Sequence, residues 1–427
     1  MTDPVMNASK DTRRRRWKLL VLVSPLVLLV TYFGADMWTG HRVNLAAARF
    51  DERYGGLSIR HLTTAPVPAT NNRARLVRAA AALTVPLSPA ATPALTSVTG
   101  NSGMSPLPAE LRPFAEANTR ALSLLADAAL RTQSSWEIEY VDPGNAPPFM
   151  DLRVLGQAAY VAALSKIEDG QPDEAAKYIA SGLAMAASLR QEPSLVAQLI
   201  RIAVAFQQID GVQRLITRAE PSKASLDGLA RRLEENRSPD PMQVGLLSEA
   251  RMAHAILTRM EQGRLEEGVP GPGPAAWSGP MARILRPFVR MSHASYLRHM
   301  EQLLDAQAAP RPRPPVEPFS PLPLLGRFTE GFTAALERAL TTGDDFGSVL
   351  GAAELSVALR RYRLDRGAYP DELTMLVPAY LSAVPVNPFT GKPPVYARQG
   401  GGFTLSAPQS RVKDRPSPPT PEWTVIK

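Results

Sequence analysis

The chain has 427 residues, 44% of them apolar, and a formal net charge of +8. This length and apolar content suffice for two or three packed domains, while the 41 prolines indicate that part of the chain forms extended connections. Cysteine is absent, which excludes disulfides, thiolate metal sites, iron–sulfur clusters and cysteine nucleophiles. The basic residues are spread along the chain, so we expect no nucleic-acid partner. The five histidines show no metal-ligand spacing, so we expect no cofactor.

The first predicted element is a transmembrane helix over residues 17–38. Its central run, residues 19–35, contains no charged residue. As a helix this run covers most of a hydrocarbon core of about 30 Å. Trp17, Tyr32 and Trp38 stand at its ends, where aromatic residues mark the two membrane interfaces.

Positive charge before this helix predicts its orientation. The cytoplasmic basic tail, residues 1–16, and the start of the helix contain a topology signal made of Arg13, Arg14, Arg15, Arg16 and Lys18. Because such clusters stay in the cytoplasm, we expect a single-pass protein of the bacterial inner membrane, with its bulk in the periplasm. A cleaved signal peptide is the alternative, although Tyr32 and Phe33 are bulky where cleavage requires small residues. A twin-arginine export signal is a further reading of TRRRRWKLL.

The exported part is predicted to be mainly helical. It begins with a membrane-proximal region and Pro-rich linker, residues 39–108, in which residues 85–108 are expected to lack regular structure. A helical domain, residues 109–306, follows. Apolar residues spaced by three and four predict helices over 153–168, 173–190, 194–218, 223–236, 241–263 and 281–306. Short turns between them predict antiparallel neighbours, and hence a bundle or a short helical-hairpin array.

The C-terminal part is predicted to form a small α+β module. A Pro-rich connector with a short helix, residues 307–343, leads to this module, residues 344–406. It contains a helix to Asp365 capped by Gly367, a short helix in DELTMLV, and a glycine-turn hairpin that pairs 395–398 with 403–406. Residues 407–427 are predicted to be a disordered tail.

Residues 158–186, AAYVAALSKIEDGQPDEAAKYIASGLAMA, resemble one unit of a tetratricopeptide repeat. Gly170 lies in the turn, Ala175 follows five residues later, and Ile179 and Leu183 occupy packing positions of the second helix. The resemblance implies a helical hairpin of the kind that binds proteins. An ordinary αα-hairpin is the alternative.

The string YRLDRGAYPDEL, followed by VPVNPFTGKPPVY, resembles the globular head of major pseudopilins of type II secretion systems. The positions that match are Asp365, Gly367, Tyr369 and Pro370, then Asn387, Pro388, Phe389, Gly391 and Pro393. In this chain most of the sequence separates that head from the membrane helix, so the family's polymerisation does not carry over. The wider pattern also resembles uncharacterised bacterial membrane-anchored proteins.

The best carboxylate cluster is Glu137, Glu139 and Asp142 in SSWEIEYVDPG. On an extended strand Glu137 and Glu139 point the same way, so the pair could act on a glycosidic bond. Solvated loop residues are the alternative. His293 and His299 fall on different faces of a helix, and no acidic residue neighbours Asn387 as a calcium ligand would require. We therefore expect no catalytic or metal site.

Three functions remain at this point. The favoured one is a non-catalytic, membrane-anchored periplasmic scaffold or adaptor that binds another envelope protein through its helical domain. A second is a periplasmic glycan-active hydrolase that uses the carboxylates of residues 137–142. A third is an accessory component of a pilus or secretion assembly.

Overall fold

The computed structural model describes residues 4–99, 105–138, 140, 149–264, 279–317, 326–407 and 422–425, and only the backbone of 4–23, 279–281, 326–334 and 422. Within these residues the fold is mainly α-helical, with one small antiparallel sheet near the C-terminus. The predicted fold class is confirmed to that extent.

Twelve helices are defined among the described residues. They are α1 Pro4–Tyr54, α2 Arg73–Ala82, α3 Thr92–Thr99, α4 Arg112–Ala117, α5 Thr119–Ala129, α6 Asp151–Glu168, α7 Pro172–Ala187, α8 Leu195–Arg218, α9 Lys223–Arg237, α10 Pro241–Glu261, α11 Gly279–Ala308 and α12 Gly326–Arg366. Single 3-10 turns occur at Ile59–Leu62, Pro89–Ala91, Ala109–Leu111 and Leu373–Leu376. The helices predicted from the apolar spacing correspond to α6–α11 within a few residues.

The described residues fall into two compact units. Unit 1 takes them from residues 1–57, 252–301 and 318–331, and unit 2 takes them from residues 58–251, 302–317 and 332–427. The predicted boundary between a helical domain, 109–306, and a separate module, 344–406, does not coincide with this division. Both segments contribute to unit 2.

Unit 2 is built on α6, α7 and α8, which pack against one another. Their contact surfaces are rich in buried alanine, and small side chains let helix backbones approach closely. The C-terminal segment joins the same core: Phe206 of α8 meets Phe346 of α12 edge-on at 5.8 Å. Arg361 of α12 also donates to Asp227 of α9. Helices and module therefore share one packed unit.

The sheet has the order β1-β2-β3, with β1 Val395–Gln399, β2 Gly402–Ser406 and β3 Glu422–Val425. The predicted hairpin is confirmed. Its turn contains Gly400 at φ +55°, a left-handed conformation that suits glycine. The disordered-tail prediction is wrong for β3, because Trp423 and Val425 are buried opposite Leu405 and Phe403. Ala407, the first residue of that tail, is buried as well, and residues 408–421 and 426–427 lie outside the described residues.

The prediction that residues 85–108 lack regular structure is also wrong in part. Pro89–Ala91 and α3 are helical, and Leu95 and Val98 are buried three positions apart on one face of α3. The Arg214 guanidinium donates to the carbonyls of Val98 and Ser105. Burial of this face and these hydrogen bonds outweigh the low helix propensity of a segment rich in proline, serine and threonine.

Unit 1 contains α1, whose bounds extend well beyond the predicted 17–38 helix. Residues 24–31 and 33–35 are exposed. From residue 36 onward one face is buried, and it consists of Asp36, Thr39, Val43, Ala46 and Phe50 at a spacing of three and four. Met260 and Val289 form a small apolar cluster with Ile256, Leu257 and Leu285.

Among the described residues, α8 is the helix whose length and hydropathy would allow it to cross a membrane. Two-thirds of the most apolar 18-residue stretch of α8 is buried inside unit 2. Gln198, Arg201 and Gln208 of this helix are buried as well. Such burial is typical of a core helix. The side chains of residues 4–23 lie outside the described part, so membrane insertion of α1 stays a prediction.

Candidate functional site

A charged groove in unit 2 lies between α9 and α12; we call it the α9–α12 cleft. Its open part measures about 730 Å³, and six charged side chains line it: Arg190, Asp227, Arg231, Glu234, Glu235 and Arg361. A narrower pocket of about 160 Å³ shares Glu234 and Arg361 with it and is also lined by Glu354, Tyr380 and Ser382. The two pockets therefore adjoin each other at Glu234 and Arg361.

The sequence of α9 explains why its charges face this cleft. Leu226, Leu229 and Leu233 are buried and hold the helix on unit 2. The adjacent face consists of residues at the same spacing of three and four, namely Asp227, Arg231, Glu234 and Glu235. Ser222 caps the helix by accepting from the Ser225 amide, which fixes where this face begins.

Two ion pairs form the wall of the cleft. Arg361 Nε donates to Asp227 Oδ1 at 2.6 Å, and the Arg361 guanidinium lies 5.6 Å from the Tyr380 ring. Arg237 holds both carboxylate oxygens of Glu354, with Nε to Oε1 at 2.9 Å. Burial raises the pKa of Glu354, and Arg237 partly offsets that effect. Because Arg237 occupies both of its oxygens, Glu354 is poorly placed to act as a general base.

The rim of the cleft is different. The side chains of Arg190, Arg231 and Glu234 make no hydrogen bond or salt bridge with other described residues. Arg231 and Glu234 are exposed. Two cations and one anion of the lining therefore have no hydrogen-bonded or ion-paired partner among the described residues, which leaves them available to a charged ligand.

A second group of charged residues lies in unit 1; we call it the α1–α11 polar network. Arg286 holds the Asp36 carboxylate through two hydrogen bonds. Arg290 donates to Asp36 Oδ1 and to the Asp36 carbonyl, both at 2.9 Å, and its Nε donates to Glu261 Oε2 at 3.2 Å. Two arginines are thus balanced by two carboxylates, so the charges compensate each other where they are partly buried.

Two histidines extend this network. His293 Nδ1 lies 2.7 Å from Glu261 Oε1, and His293 Nε2 lies 2.9 Å from His254 Nδ1. If His293 Nδ1 donates to Glu261, its Nε2 accepts from His254 Nδ1. Burial, then the neighbouring His293, lowers the pKa of His254 to about 4, while Asp51 and Glu261 oppose that shift.

The carboxylates predicted for catalysis are only partly described. Trp136 and Tyr140 of the WEIEY segment are buried: Trp136 Nε1 donates to the Ser188 carbonyl at 3.1 Å and Tyr140 to Glu192 at 2.8 Å. Glu137 instead lies at the surface, in an ion pair with Arg75 at 3.1 Å, with φ +54°. Glu139 and Asp142 lie outside the described residues.

The residues that carry the pseudopilin-head resemblance have structural contacts in unit 2. Asp365 pairs with Lys223 and accepts from Tyr380 at 3.0 Å. Gly367 ends α12 at φ +79°. Tyr369 is buried edge-on against Phe403 at 5.0 Å. Tyr396 donates to the Pro370 carbonyl at 2.6 Å, which brings β1 to the end of this turn.

Asn387 organises the loop that follows. Its Oδ1 accepts from the amides of Phe389 and Thr390, and its Nδ2 donates to Ser348 at 2.7 Å. The Pro388 ring lies against Gly347 of α12. Both the oxygen and the nitrogen of the Asn387 side-chain amide thus have protein partners.

The described part of the chain contains no group of three or more His, Asp or Glu side chains arranged to hold a metal ion. In the fold His293 contacts His254 and Glu261. The six-residue spacing between His293 and His299 in the sequence gives no indication of these contacts. The side chains of the predicted topology signal, Arg13 to Arg16 and Lys18, lie outside the described residues.

The sequence could have indicated one half of the α9–α12 cleft. The charges of α9 recur at helical spacing, which predicts a polar face. What the sequence does not show is that Arg361 and Glu354, more than a hundred positions later, face them. Likewise, His254 and His293 come from two helices whose pairing no local pattern encodes.

Comparison with protein-family models, curated proteins and solved structures finds no match for this chain.

Proposed function

We propose that this protein is a membrane-anchored scaffold or adaptor that binds a charged segment of another envelope protein in the α9–α12 cleft. The observation that carries the proposal is the rim of that cleft, where Arg190, Arg231 and Glu234 stand free of ion pairs with described residues. A partner with charges of both signs would satisfy them, and complementary charges at a rim steer association and select the partner.

The wall of the cleft supports binding over catalysis. Arg361 and Glu354 of α12 are each held by a counter-ion of α9, so these pairs join α9 to α12 and shape the cleft. The described lining residues include no histidine, so among them Ser238 and Ser382 have no imidazole base from which a serine nucleophile could be made.

Anchoring is proposed through α1. The side chains of its residues 24–30, all apolar except Ser24, are exposed, and the sequence before them continues without charge back to residue 19. A helix that presents such a run on all sides is suited to lipid. The arginine cluster that precedes it favours a cytoplasmic N-terminus, which would put unit 2 in the periplasm of a bacterial cell.

The binding site can be tested by photocrosslinking in cells that express the full chain. A benzophenone amino acid replaces Arg231 at the cleft rim or, as the control, Val395, which is exposed on β1. We expect one defined adduct at position 231, identified by mass spectrometry, and none at 395. The additional change Arg190→Glu should abolish it, whereas Lys177→Glu, an exposed charge change on α7, should leave it.

Two results would contradict the proposal. One is the same set of adducts at positions 231 and 395, which would indicate non-specific collision. The other is an adduct at 231 that Arg190→Glu leaves unchanged although the thermal unfolding of the variant matches that of the parent. Each would show that the cleft charges do not select a partner.

The hydrolase alternative has one observation in its favour. Glu137 adopts a left-handed φ at the surface, and such backbone conformations are enriched at functional sites. If the purified protein hydrolysed peptidoglycan and Glu137→Gln removed that activity with the fold intact, the hydrolase would replace the adaptor as the proposed function.

A further inference from the structure

The first turns of α11 lie along α1 at the level where its apolar run ends. Tyr32 donates its hydroxyl to the Arg283 carbonyl. One turn later Arg286 Nε donates to Asp36 Oδ1 at 2.8 Å, and Arg290 follows with bonds to the same carboxylate and to its backbone carbonyl. These hydrogen bonds hold residues 283–290 of α11 beside residues 32–36 of α1.

The outer face of this part of α11 is apolar and uncovered. Ile284 is 57% exposed and Phe288 is 44% exposed, and they lie four residues apart on one side of the helix. On α1, Phe33 and Met37 are exposed as well. Two helices that contact each other therefore both expose large apolar side chains. Phe33 and Met37 extend the exposed run of residues 24–30 along α1, and Ile284 and Phe288 are exposed on the helix that is hydrogen-bonded to its end.

The charges beside this surface are arranged for a membrane boundary. An aspartate at the end of a membrane span is costly unless it is paired, and Asp36 is held by two arginines. Arg283 is exposed beside Ile284. A long arginine side chain can reach lipid phosphates while its neighbours enter the apolar layer.

We propose that residues 283–288 of α11 form a second membrane contact, with Ile284 and Phe288 inserted at the lipid interface beside the exit of α1. This proposal rests on the proposed anchoring of α1. Lipid is the occupant that fits, because the exposed apolar side chains of α11 lie beside the end of the apolar run of α1 and are bordered by the exposed Arg283, as interfacial helices are bordered by basic residues. The contact would fix unit 1 against the bilayer in one orientation.

The absence of cysteine makes a direct test possible. Single variants Leu28→Cys, Ile284→Cys, Phe288→Cys and Leu364→Cys of the full chain carry a nitroxide label in vesicles of phosphatidylethanolamine and phosphatidylglycerol. Leu364 is the matched control, since it is an apolar residue of α12 in unit 2 with 54% exposure. Relaxation of the label by oxygen, which concentrates in lipid, is compared with relaxation by a water-soluble nickel complex.

We expect the ratio of oxygen to nickel accessibility at positions 284 and 288 to be several-fold higher than at 364, and to approach the ratio at position 28. A water-like ratio at 284 and 288 with a lipid-like ratio at 28 would overturn the second contact and leave the anchor intact. A water-like ratio at 28 would overturn the anchor and this proposal with it. Protection from both reagents at 284 would show a protein surface there, such as a second copy, and would also overturn the proposal.

Discussion

Units 1 and 2 are stabilised by different kinds of contact. In unit 2, α6 and α7 bury alanine, leucine and isoleucine on most of their faces, and the sheet adds Phe403, Leu405 and Trp423. In unit 1, the contacts between α1, α10 and α11 include a chain of arginine, carboxylate and histidine side chains. Apolar burial responds to lost volume, whereas hydrogen-bonded charges respond to protonation. Different perturbations should therefore destabilise the two units.

The largest effect is expected from a cavity in the sheet of unit 2. Leu405 is fully buried on β2, opposite Trp423. Leu405→Ala should lower the free energy of unfolding by about 2 to 5 kcal/mol, whereas Val395→Ala, exposed on β1, should change it by less than about 0.5 kcal/mol. Denaturant titration followed by circular dichroism measures both.

The same variant tests whether module and helices form one unit. With a shared core, limited proteolysis of Leu405→Ala should cleave α6 to α9 as readily as the segment after residue 344. Cleavage restricted to that C-terminal segment would mean that it folds separately, as the sequence alone suggests.

A smaller packing effect is expected where α7 crosses α8. A Cβ added to Gly182 would come within 2.5 Å of the Gln208 side chain, and that side chain donates to the Gly156 carbonyl. Gly182→Ala should therefore destabilise unit 2 by about 1 to 3 kcal/mol. Gly228 of α9 has open space around it, so Gly228→Ala should stabilise by about 0.5 to 1 kcal/mol. Equal effects at both sites would contradict the close approach of α7 and α8.

Unit 1 should be sensitive to acid. In the folded chain the pKa of His254 is lowered to about 4 from its ordinary 6.5, so between these values the unfolded chain binds the proton and the folded one does not. The stability that the uncharged His254 contributes to the folded state is complete above pH 6.5 and is lost as the pH falls from 6.5 to about 4. Because His254 is partly exposed and screened, we expect a loss of at most about 2 kcal/mol. Thermal unfolding at pH 7.5 and 5.0 measures it, and His254→Gln should remove the dependence.

Glu249 in unit 2 should give stability the opposite dependence on pH, and this makes the comparison of the two units more specific. Burial raises its pKa to about 7 from 4.5, against a hydrogen bond from the Leu195 amide. The contribution of protonated Glu249 to the free energy of unfolding is complete below pH 4.5 and is lost as the pH rises through 7. Glu249→Gln should therefore raise the unfolding temperature at pH 8 more than at pH 5. A variant that behaves like His254→Gln would show that the two units do not differ in this way.

The smallest effect is expected at the surface of unit 2. Arg75 and Glu137 form an ion pair in which both side chains are well exposed. Arg75→Ala should lower the free energy of unfolding by no more than about 0.5 to 1 kcal/mol, and added salt should reduce even that difference. A larger cost in a denaturant titration would give this pair a structural role that its exposure does not suggest.

The sequence predicts the helices of unit 2 well because their apolar residues recur at helical spacing. Leu195, Leu199 and Ile202 of α8 are one such stripe. The sequence does not predict α3 or β3, because prolines, serines and threonines dominate both segments. Their buried apolar residues are only Leu95 and Val98 in α3, and Trp423 and Val425 in β3. Two buried residues give too weak a pattern to outweigh such neighbours.

The candidate site is less predictable than the fold. Long-range pairs create it: Asp227 with Arg361, and Glu354 with Arg237. Each partner taken alone resembles an ordinary surface charge, so no spacing rule selects it. The same holds for Asp36, which the sequence places at the end of an apolar run without showing that Arg286 and Arg290 neutralise it.

Membrane anchoring by α1 with export of unit 2 is the central claim, and a topology reporter tests it most directly. An enzyme that is active only in the periplasm is fused after Lys427 of the full chain, and a reporter that is active only in the cytoplasm is fused at the same point in a parallel strain. We expect activity from the periplasmic reporter, reduced when Arg13 to Arg16 are replaced by glutamate. Activity of the cytoplasmic reporter, with a silent periplasmic one, would contradict the account.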